Sequence, residues 1–152
     1  MKIAIGSDHA VFTLKETLRA WLMEQGHQTL DVGTFNKERC DYPDFGAMVG
    51  RAVAGGEVES GVLVCGSGQG IFMAVNKIPG VRGGVIRDSR DAEMARRHND
   101  ANVACFGEQI TADNVAMDAL HVFLTTPFDG GRHEGRIAMM SRLDETRGVS
   151  TK

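Results

Sequence analysis

The residues best suited to chemistry lie together in one short segment, CGSGQG, which runs from Cys65 to Gly70. Gly66, Gly68 and Gly70 would let the backbone approach a ligand closely and point several N–H groups at one place. A helix that starts after the segment would favour the thiolate form of Cys65 through its partial positive charge. The pattern therefore predicts an anion-binding loop beside a reactive thiolate.

Two catalytic roles are open for this thiolate, that of a nucleophile and that of a general base. A base beside an anion-binding loop is suited to forming an enediolate from an α-hydroxy carbonyl compound, with the Ser67 hydroxyl and the loop amides stabilising the oxyanion. A turn without any chemistry explains the glycines equally well. The spacing is not the dinucleotide fingerprint, G-x-G-x-x-G after the first strand. A redox function is disfavoured because no resolving cysteine lies near Cys65 in the sequence.

Other polar residues stand where predicted elements end. Asp8 and His9 follow the first apolar run, a position that favours a site over packing. Arg132 and Arg136 are four apart, so on a helix they would share one face and grip a phosphate; the alternative is a solvated helix with ordinary charges. For His98 and His133, a place in a site and a place in the packing are equally expected. His27 is expected in solvent, and His121 and Cys105 are expected to be packed. Cys40 has no assigned role.

Short β-branched runs alternate with amphipathic segments along the chain, which is typical of parallel strands covered by helices on both faces. The pattern predicts one domain over residues 1–152, an α/β three-layer sandwich with a five-stranded parallel sheet. The predicted strands are Lys2–Gly6, Thr29–Val32, Ser60–Cys65, 81–86 and Val103–Phe106. The first predicted helix ends at Gly26, and the next two run from Pro43 to Ala54 and from Ile71 to Asn76. Two further helices follow caps at Asp88 and Thr111, and the last spans Glu134–Leu143. Lys15 is assigned to the polar face of the first helix.

Ligands of open parallel sheets bind at the carboxyl ends of the strands. This rule groups Asp8 and His9 with the loop after Cys65. His98 closes the fourth predicted helix and lies on the other side of that helix from the strand end. To take part in the same chemistry, His98 must reach the site of a neighbouring subunit.

Composition excludes several classes of protein. The 152 residues carry 17 Lys and Arg against 20 Asp and Glu, so the net charge of −3 provides no broad surface for nucleic acid. No apolar run approaches the ~20 residues of a membrane helix. Three cysteines are too few for a disulfide framework, and we therefore expect a protein of the reducing cytoplasm.

A set of motifs together resembles the type B ribose-5-phosphate isomerases, a family that also contains the two galactose-6-phosphate isomerase subunits. The motifs are DHA at 8–10, DYPD at 41–44, CGSGQG at 65–70, AVNK at 74–77, HNDANV at 98–103 and GGRHEGR at 130–136. They are collinear with the family from Met1 to about Leu143 and are specific in combination.

The resemblance implies a Rossmann-like fold and aldose–ketose isomerisation that needs neither a metal nor a cofactor. It implies a homodimer whose two sites each draw on both subunits, with a tetramer as the alternative, and a C-terminal helix at about 134–144 that packs on the partner. Cys65 corresponds to the general base, Ser67 to its hydroxyl partner, and Gly66 to Gly70 to the anion hole. The resemblance further assigns ring opening to His98 with Asp8, sugar contacts to Asp8, Tyr42 and Asn99, and phosphate contacts to His9, Arg132 and Arg136.

The predicted reaction is therefore the interconversion of D-ribose 5-phosphate and D-ribulose 5-phosphate. The chain departs from the family pattern at three places: Val11, Arg90 with Asp91, and Gln109, which stands where many members have an arginine that helps with phosphate. The alternatives are isomerisation of a tetrose 4-phosphate or of a hexose 6-phosphate such as allose or galactose 6-phosphate. A non-catalytic domain that binds sugar phosphate is a further alternative.

Overall fold

Within residues 1–36 and 38–146, which the computed structural model describes, the chain forms five strands and six helices. The strands are β1 (Lys2–Ser7), β2 (Gln28–Gly33), β3 (Ser60–Cys65), β4 (Gly83–Val85) and β5 (Val103–Gly107). The helices are α1 (Phe12–Glu24), α2 (Tyr42–Ala54), α3 (Gln69–Val75), α4 (Ser89–Asn99), α5 (Asp113–Thr125) and α6 (Glu134–Thr146). Short 3-10 turns, His9–Val11 and Gly131–His133, precede α1 and α6.

The five strands pair in parallel in the order β2-β1-β3-β5-β4. Successive side chains of a strand point to opposite faces, and each face is apolar here. Ile5, Val64 and Phe106 belong to the face covered by α1 and α5, whereas Leu63 and Cys105 belong to the face covered by α2 and α3. The predicted three-layer architecture with a five-stranded parallel sheet is confirmed.

The register of the central strands brings their carboxyl ends together. Ser7 at the end of β1 pairs with Val64, and Cys65 at the end of β3 pairs with Gly107 at the end of β5. From β1 the chain continues to β2 on one side of β1 and then crosses to β3 on the other side of β1. The carboxyl ends of β1 and β3 therefore form a switch point, the place where ligands of such sheets bind. Helices α4 and α5 run back, so their last turns lie at the opposite, amino-end edge.

One predicted helix cap is correct and one is wrong. The Asp88 side chain accepts a hydrogen bond from the Asp91 N–H (2.8 Å) and caps α4 as predicted. Ala112, not Thr111, precedes α5. The Thr111 N–H instead donates to the Gly107 carbonyl (2.9 Å), which folds the residue into the turn after β5. Its buried hydroxyl has no partner among the described residues.

The assignment of Lys15 to a polar helix face is also wrong. The side chain is 0% exposed, and its ammonium group pairs with the carboxylates of Asp31 (2.7 Å) and Glu16 (2.8 Å). It also lies 5.3 Å from the ring centres of both Phe12 and Phe35. Helical periodicity places Lys15 on the helix but gives no information about Asp31, its acidic partner on β2. The pairing with Asp31 makes burial of the lysine possible.

Helix α6 has little support from its own chain. None of its described residues, Glu134 to Thr146, is buried, although Met139, Met140 and Leu143 are large apolar side chains. The Asp144 carboxylate accepts from the Gly80 N–H (2.9 Å), beside a groove of about 220 Å³ between the helix and the segment that leads into β4. Among the described helices, α6 included, none has the length and apolar character to traverse a bilayer.

Candidate active site

The loop after β3 turns closely against the end of β5. Gly68, the residue before α3, has a φ of +78°, and a Cβ at this position would lie 3.2 Å from the Phe106 carbonyl carbon. A Cβ at Gly107 would lie only 2.5 Å from the Ser67 carbonyl carbon. Both neighbours are backbone atoms, so glycine is required at both positions. The glycines of the motif therefore meet a packing requirement, in addition to any role in ligand binding.

The Cys65 thiol lies at the base of this loop. The side chain is 4% exposed and belongs to the α2/α3 face of the sheet. N–H groups of Glu108 and Gln109 donate to the carbonyl oxygens of Cys65 (3.1 Å) and Gly66 (3.0 Å), which fastens the loop to the turn after β5. Burial, and to a smaller extent Cys65, raises the pKa of Cys105 on the next strand, which is a neutral core thiol as predicted.

Two hydroxyl groups flank the loop. The Tyr42 ring lies against Gly70, since a Cβ at 70 would be 2.7 Å from the phenolic ring carbon. Ser67 is exposed, and its oxygen accepts a hydrogen bond from the Gln69 N–H (3.3 Å). Because that oxygen is the acceptor, the Ser67 O–H remains able to donate to a ligand.

His9 stands at the same edge in a fixed orientation. The backbone N–H of Cys40 donates to His9 Nδ1 (3.1 Å), and the Cys40 sulfur is 3.9 Å from the same nitrogen. The Cys40 carbonyl oxygen lies at the same distance of 3.1 Å from Nδ1, so this contact accommodates either neutral tautomer of His9. Asp8, the preceding residue, is buried.

Sequence reasoning missed two residues at this edge. Cys40 holds His9, and the Glu108 carboxylate accepts from the Leu14 N–H (2.9 Å) in the first turn of α1. These contacts join segments 31 and 94 residues apart. The only local signal for Cys40 was its place in a polar loop, and Glu108 had none.

The three departures from the family pattern lie in different surroundings. Val11 is buried in the core beneath α1. Arg90 is exposed and pairs with Glu93 (2.8 Å) on the surface of α4. The Gln109 side chain approaches within 3.5 Å of the point where a Cβ of Gly66 would stand. Of these three, Gln109 alone lies beside the glycine loop.

The second group of candidates lies around the last turn of α4. The His98 and His133 rings are stacked, with centres 4.5 Å apart and planes within 9°. Arg132 Nε donates to His133 Nε2 (3.4 Å). Asn99 and Arg136 are exposed beside them. Arg132 belongs to the 3-10 turn and Arg136 to α6, so the shared face of a single α-helix, which their spacing would allow, does not form.

The environment of this second group is positively charged. Burial lowers the pKa of His133, and the charges of His98, Arg132 and Arg136 lower it further. Asp129 balances part of this charge: hydrogen bonds from Arg97 Nε (3.1 and 3.2 Å) lower the pKa of its carboxyl group. A group of this kind suits an anion such as a phosphate.

The predicted site residues therefore form two separate groups within one chain. Asp8, His9, Tyr42, Cys65, Ser67 and the loop glycines surround the carboxyl ends of the strands. His98, Asn99, Arg132 and Arg136 stand at the amino-end edge, since α4 ends there and β5 starts a few residues later. The five residues of β5 separate the two edges by roughly 15 Å. One chain does not bring His98 to Cys65.

The carboxyl-edge group can carry out proton transfer at carbon. It combines a thiol, a donor hydroxyl and backbone N–H groups around a single loop, which are the parts needed to form and stabilise an oxyanion.

Comparison with known proteins gives a consistent result. The family model described as Ribose/Galactose Isomerase matches residues 3–140. Ribose-5-phosphate isomerase B of Escherichia coli K12 is 40% identical over 146 residues, which cover 96% of this chain and 98% of that protein.

Solved structures agree in both fold and length. Ribose-5-phosphate isomerase B of Clostridium thermocellum has a TM-score of 0.94 at 41% identity, over 96% of this chain and 99% of that one. The Mycoplasma genitalium ribose-5-phosphate isomerase B with bound ribulose-5-phosphate has a TM-score of 0.91 at 34% identity, over 95% and 96% of the two chains.

Proposed function

This chain belongs to the ribose/galactose isomerase family, and on that basis we propose that it interconverts D-ribose 5-phosphate and D-ribulose 5-phosphate. It is an aldose–ketose isomerase. The observation that carries the proposal is the Cys65 thiol at the end of a central strand, at the base of a glycine loop that packs closely against the end of β5. Relatives named for this reaction align over nearly the whole chain.

In the proposed mechanism, the Cys65 thiolate removes the proton from C2 of the open-chain aldose. The electron pair moves into a C1–C2 double bond, and the aldehyde oxygen becomes an oxyanion that the loop N–H groups and the Ser67 O–H stabilise. The proton of the C2 hydroxyl then passes to the C1 oxyanion, the thiol returns its proton to C1, and the C2–O bond becomes the ketone carbonyl. This step leaves a hydroxymethyl group at C1 and restores the thiolate. Cys65 is thus a general base and then a general acid, and no covalent intermediate forms.

The remaining residues bind the sugar and open its ring. Asp8 and Tyr42 contact the sugar hydroxyls, and Asp8 acts with His98 in ring opening. The His9 ring and the guanidinium groups of Arg132 and Arg136 contact the phosphate. Asn99 lies along the sugar.

This assignment requires two chains for each site. His98, Asn99, Arg132 and Arg136 would come from the partner of the chain that supplies Cys65, because the two groups stand at opposite edges of one sheet. A homodimer satisfies this requirement, and a tetramer would be a pair of such dimers. The exposed apolar side chains of α6 favour its packing on the partner subunit. The three free cysteines fit a cytoplasmic enzyme.

The second candidate substrate is another aldose phosphate, such as a tetrose 4-phosphate, allose 6-phosphate or galactose 6-phosphate. The observation that favours it is the neutral Gln109 side chain beside the loop at Gly66. A longer or shorter sugar would move the phosphate relative to that amide.

The deciding experiment measures ketose formation from a panel of four-, five- and six-carbon aldose phosphates, in D₂O and in H₂O. We expect the highest kcat/KM for ribose 5-phosphate, with deuterium entering the sugar at the carbons that exchange protons. A higher value for another sugar would replace the substrate. Saturable binding without turnover or deuterium incorporation would indicate a non-catalytic sugar-phosphate-binding domain.

A further inference from the structure

One carboxylate connects two parts of the carboxyl-edge group. Glu108 follows β5 beside the loop that starts at Cys65, and its side chain reaches the first turn of α1, which comes after the 3-10 turn of His9. We infer that Glu108 is a positioning residue, which holds Asp8 and His9 at the correct distance from the Cys65 thiol. The inference rests on the proposed function, in which Cys65 is the base and Asp8 and His9 bind the sugar phosphate.

The main chain of Glu108 is fixed against the strand that carries the thiol. The preceding residue, Gly107, pairs with Cys65 across β5 and β3. The Glu108 N–H donates to the Cys65 carbonyl oxygen (3.1 Å). The Gln109 N–H donates in the same way to the Gly66 carbonyl oxygen (3.0 Å). This turn therefore keeps one position relative to the thiol, and the Glu108 side chain starts from a rigid base.

The side chain of Glu108 supplies a cap that the sequence of α1 does not contain. The N–H groups in the first turn of a helix have no partner within that helix. Val11, the residue before α1, has no polar side chain, and the first turn, residues 12–15, contains no acidic residue. The Glu108 carboxylate accepts from the Leu14 N–H at 2.9 Å, from 94 residues away in the chain. A carboxylate at this end of a helix also interacts favourably with the helix dipole.

The sheet does not position Asp8 and His9 by itself. The ladder between β1 and β3 ends at Ser7, so both residues lie beyond it. The His9 ring is held at Nδ1 by the Cys40 backbone (3.1 Å), and this contact sets the orientation of the ring. The main chain of the two residues runs between the end of β1 and the start of α1. The bond from Glu108 to the start of α1 therefore limits how far they can move from the end of β3.

The test compares three substitutions that separate the reach of the side chain from its charge. Glu108→Gln keeps an oxygen at the same distance but loses the charge, Glu108→Asp keeps the charge but is one carbon shorter, and Glu108→Ala loses both. We expect kcat/KM for ribose 5-phosphate to fall in the order Glu108→Gln, Glu108→Asp, Glu108→Ala. The alanine variant should lose about 10²-fold, the cost of a displacement of roughly 1 Å in a catalytic site.

A role in stability alone predicts a different result. It would lower the urea denaturation midpoint of Glu108→Ala but leave kcat and KM of the folded protein unchanged, and this outcome would overturn the inference. A higher kcat/KM in Glu108→Asp than in Glu108→Gln would overturn it too, since the charge and not the hydrogen bond would then matter. These two variants keep the test informative if the alanine variant does not fold.

The matched control is Glu59→Ala. The Glu59 carboxylate accepts from the Lys2 N–H (3.0 Å), which is a bond of the same kind at the amino end of β1. Its loss should leave kcat and KM unchanged, because Asp8 and His9 follow the other end of that strand. Equal losses of kcat/KM in Glu59→Ala and Glu108→Ala would refute a specific role of Glu108.

The same variants separate this inference from the proposed function. Normal kcat/KM in Glu108→Ala, beside an active original protein, would refute only the positioning role. If the original protein turns over no sugar phosphate, the proposed function is refuted, and calorimetry then tests positioning through the binding of ribose 5-phosphate. Glu108→Ala should bind this ligand more weakly than Glu108→Gln does, and equal affinities would overturn the inference. Absence of binding to the original protein would overturn both proposals.

Discussion

At the scale of single residues, the two thiols on adjacent strands allow chemistry to be separated from packing. Cys65 stands at the end of β3 below the loop, whereas Cys105 lies two residues before the end of β5 in the core. Cys65→Ala should lower kcat by about 10²–10⁴-fold, the usual contribution of a positioned general base. Ketose formation and deuterium incorporation from D₂O measure the loss.

Cys105→Ala is the matched control, because it removes an equally buried sulfur from the same face of the sheet. We expect unchanged turnover and a free energy of unfolding lower by about 1 kcal/mol. Near-normal turnover in Cys65→Ala, or equal losses in both variants, would remove Cys65 from the role of base.

What the sequence reveals about single residues depends on how local the signal is. Cys65 could be recognised because its glycines follow it immediately. Cys40 could not, since its contact with His9 depends on how a loop 31 residues away returns to the sheet edge. The stacking of His133 on His98 likewise joins two segments that are distant in sequence, and it left the role of His133 undecided.

At the scale of elements, two glycines with almost the same backbone conformation allow the effect of backbone strain to be separated from the effect of close packing. Gly68 has a φ of +78° and Gly26 a φ of +80°. A Cβ added at Gly68 would meet backbone atoms, the nearest of them 3.2 Å away at Phe106, whereas one added at Gly26 would meet nothing within 4 Å. Alanine at either position should cost about 1 kcal/mol of stability for the left-handed conformation.

The two alanine variants should differ in activity, because only Gly68 lies in the loop after β3. Gly68→Ala should displace the turn that carries the N–H groups and lower kcat, whereas Gly26→Ala should leave kcat and KM unchanged. Steady-state kinetics and urea denaturation of both variants test this expectation. An active Gly68→Ala enzyme with normal kcat would show that the oxyanion is stabilised elsewhere.

The buried ammonium group of Lys15 stabilises the junction of α1 with β2. Its shortest ion pair is with Asp31 (2.7 Å), which is 19% exposed, so removing the lysine leaves this carboxylate without its main partner. Glu16 keeps its hydrogen bonds from Arg19. Lys15→Met keeps the length of the side chain and should lower the free energy of unfolding by about 3 kcal/mol. Urea denaturation at fixed protein concentration measures the change.

Lys2→Met is the comparison for Lys15→Met, because Lys2 pairs with Glu57 at 3.8 Å on the surface. An exposed pair of this kind contributes less than about 1 kcal/mol. Equal effects of the two substitutions would show that burial adds nothing to the Lys15 pairs. Sequence periodicity predicted both helix and strand here but not the burial of Lys15, since it contains no information on which acidic residue a lysine meets.

At the scale of the whole molecule, sequence patterns predicted the layers and the strands but not how the site is completed. Apolar periodicity is sufficient for a sheet covered on both faces, because each element must bury its own apolar residues. The position of His98 at the end of α4 indicated the need for a neighbouring chain, and the structure places His98 at the edge opposite Cys65. The apolar residues of α6 follow no helical period, so sequence patterns did not reveal the surface that would join two copies.

The shared site makes a quantitative prediction for mixed dimers. Cys65→Ala and His98→Ala homodimers should each be nearly inactive, since every site lacks one group. In a heterodimer, one site combines an intact Cys65 with an intact His98, and the other site lacks both. Random mixing by coexpression makes half of the dimers mixed, so activity should recover to about a quarter of that of the original protein.

The control for the mixed dimers pairs Cys65→Ala with Asp8→Ala, two residues of the same edge. Every site in that heterodimer lacks one of the two groups, so no activity should return. Dual affinity tags isolate the heterodimers and verify that they have formed. Recovery only in the Cys65 and His98 pair requires that each site uses both chains, because a site built within one chain would stay defective in either mixture.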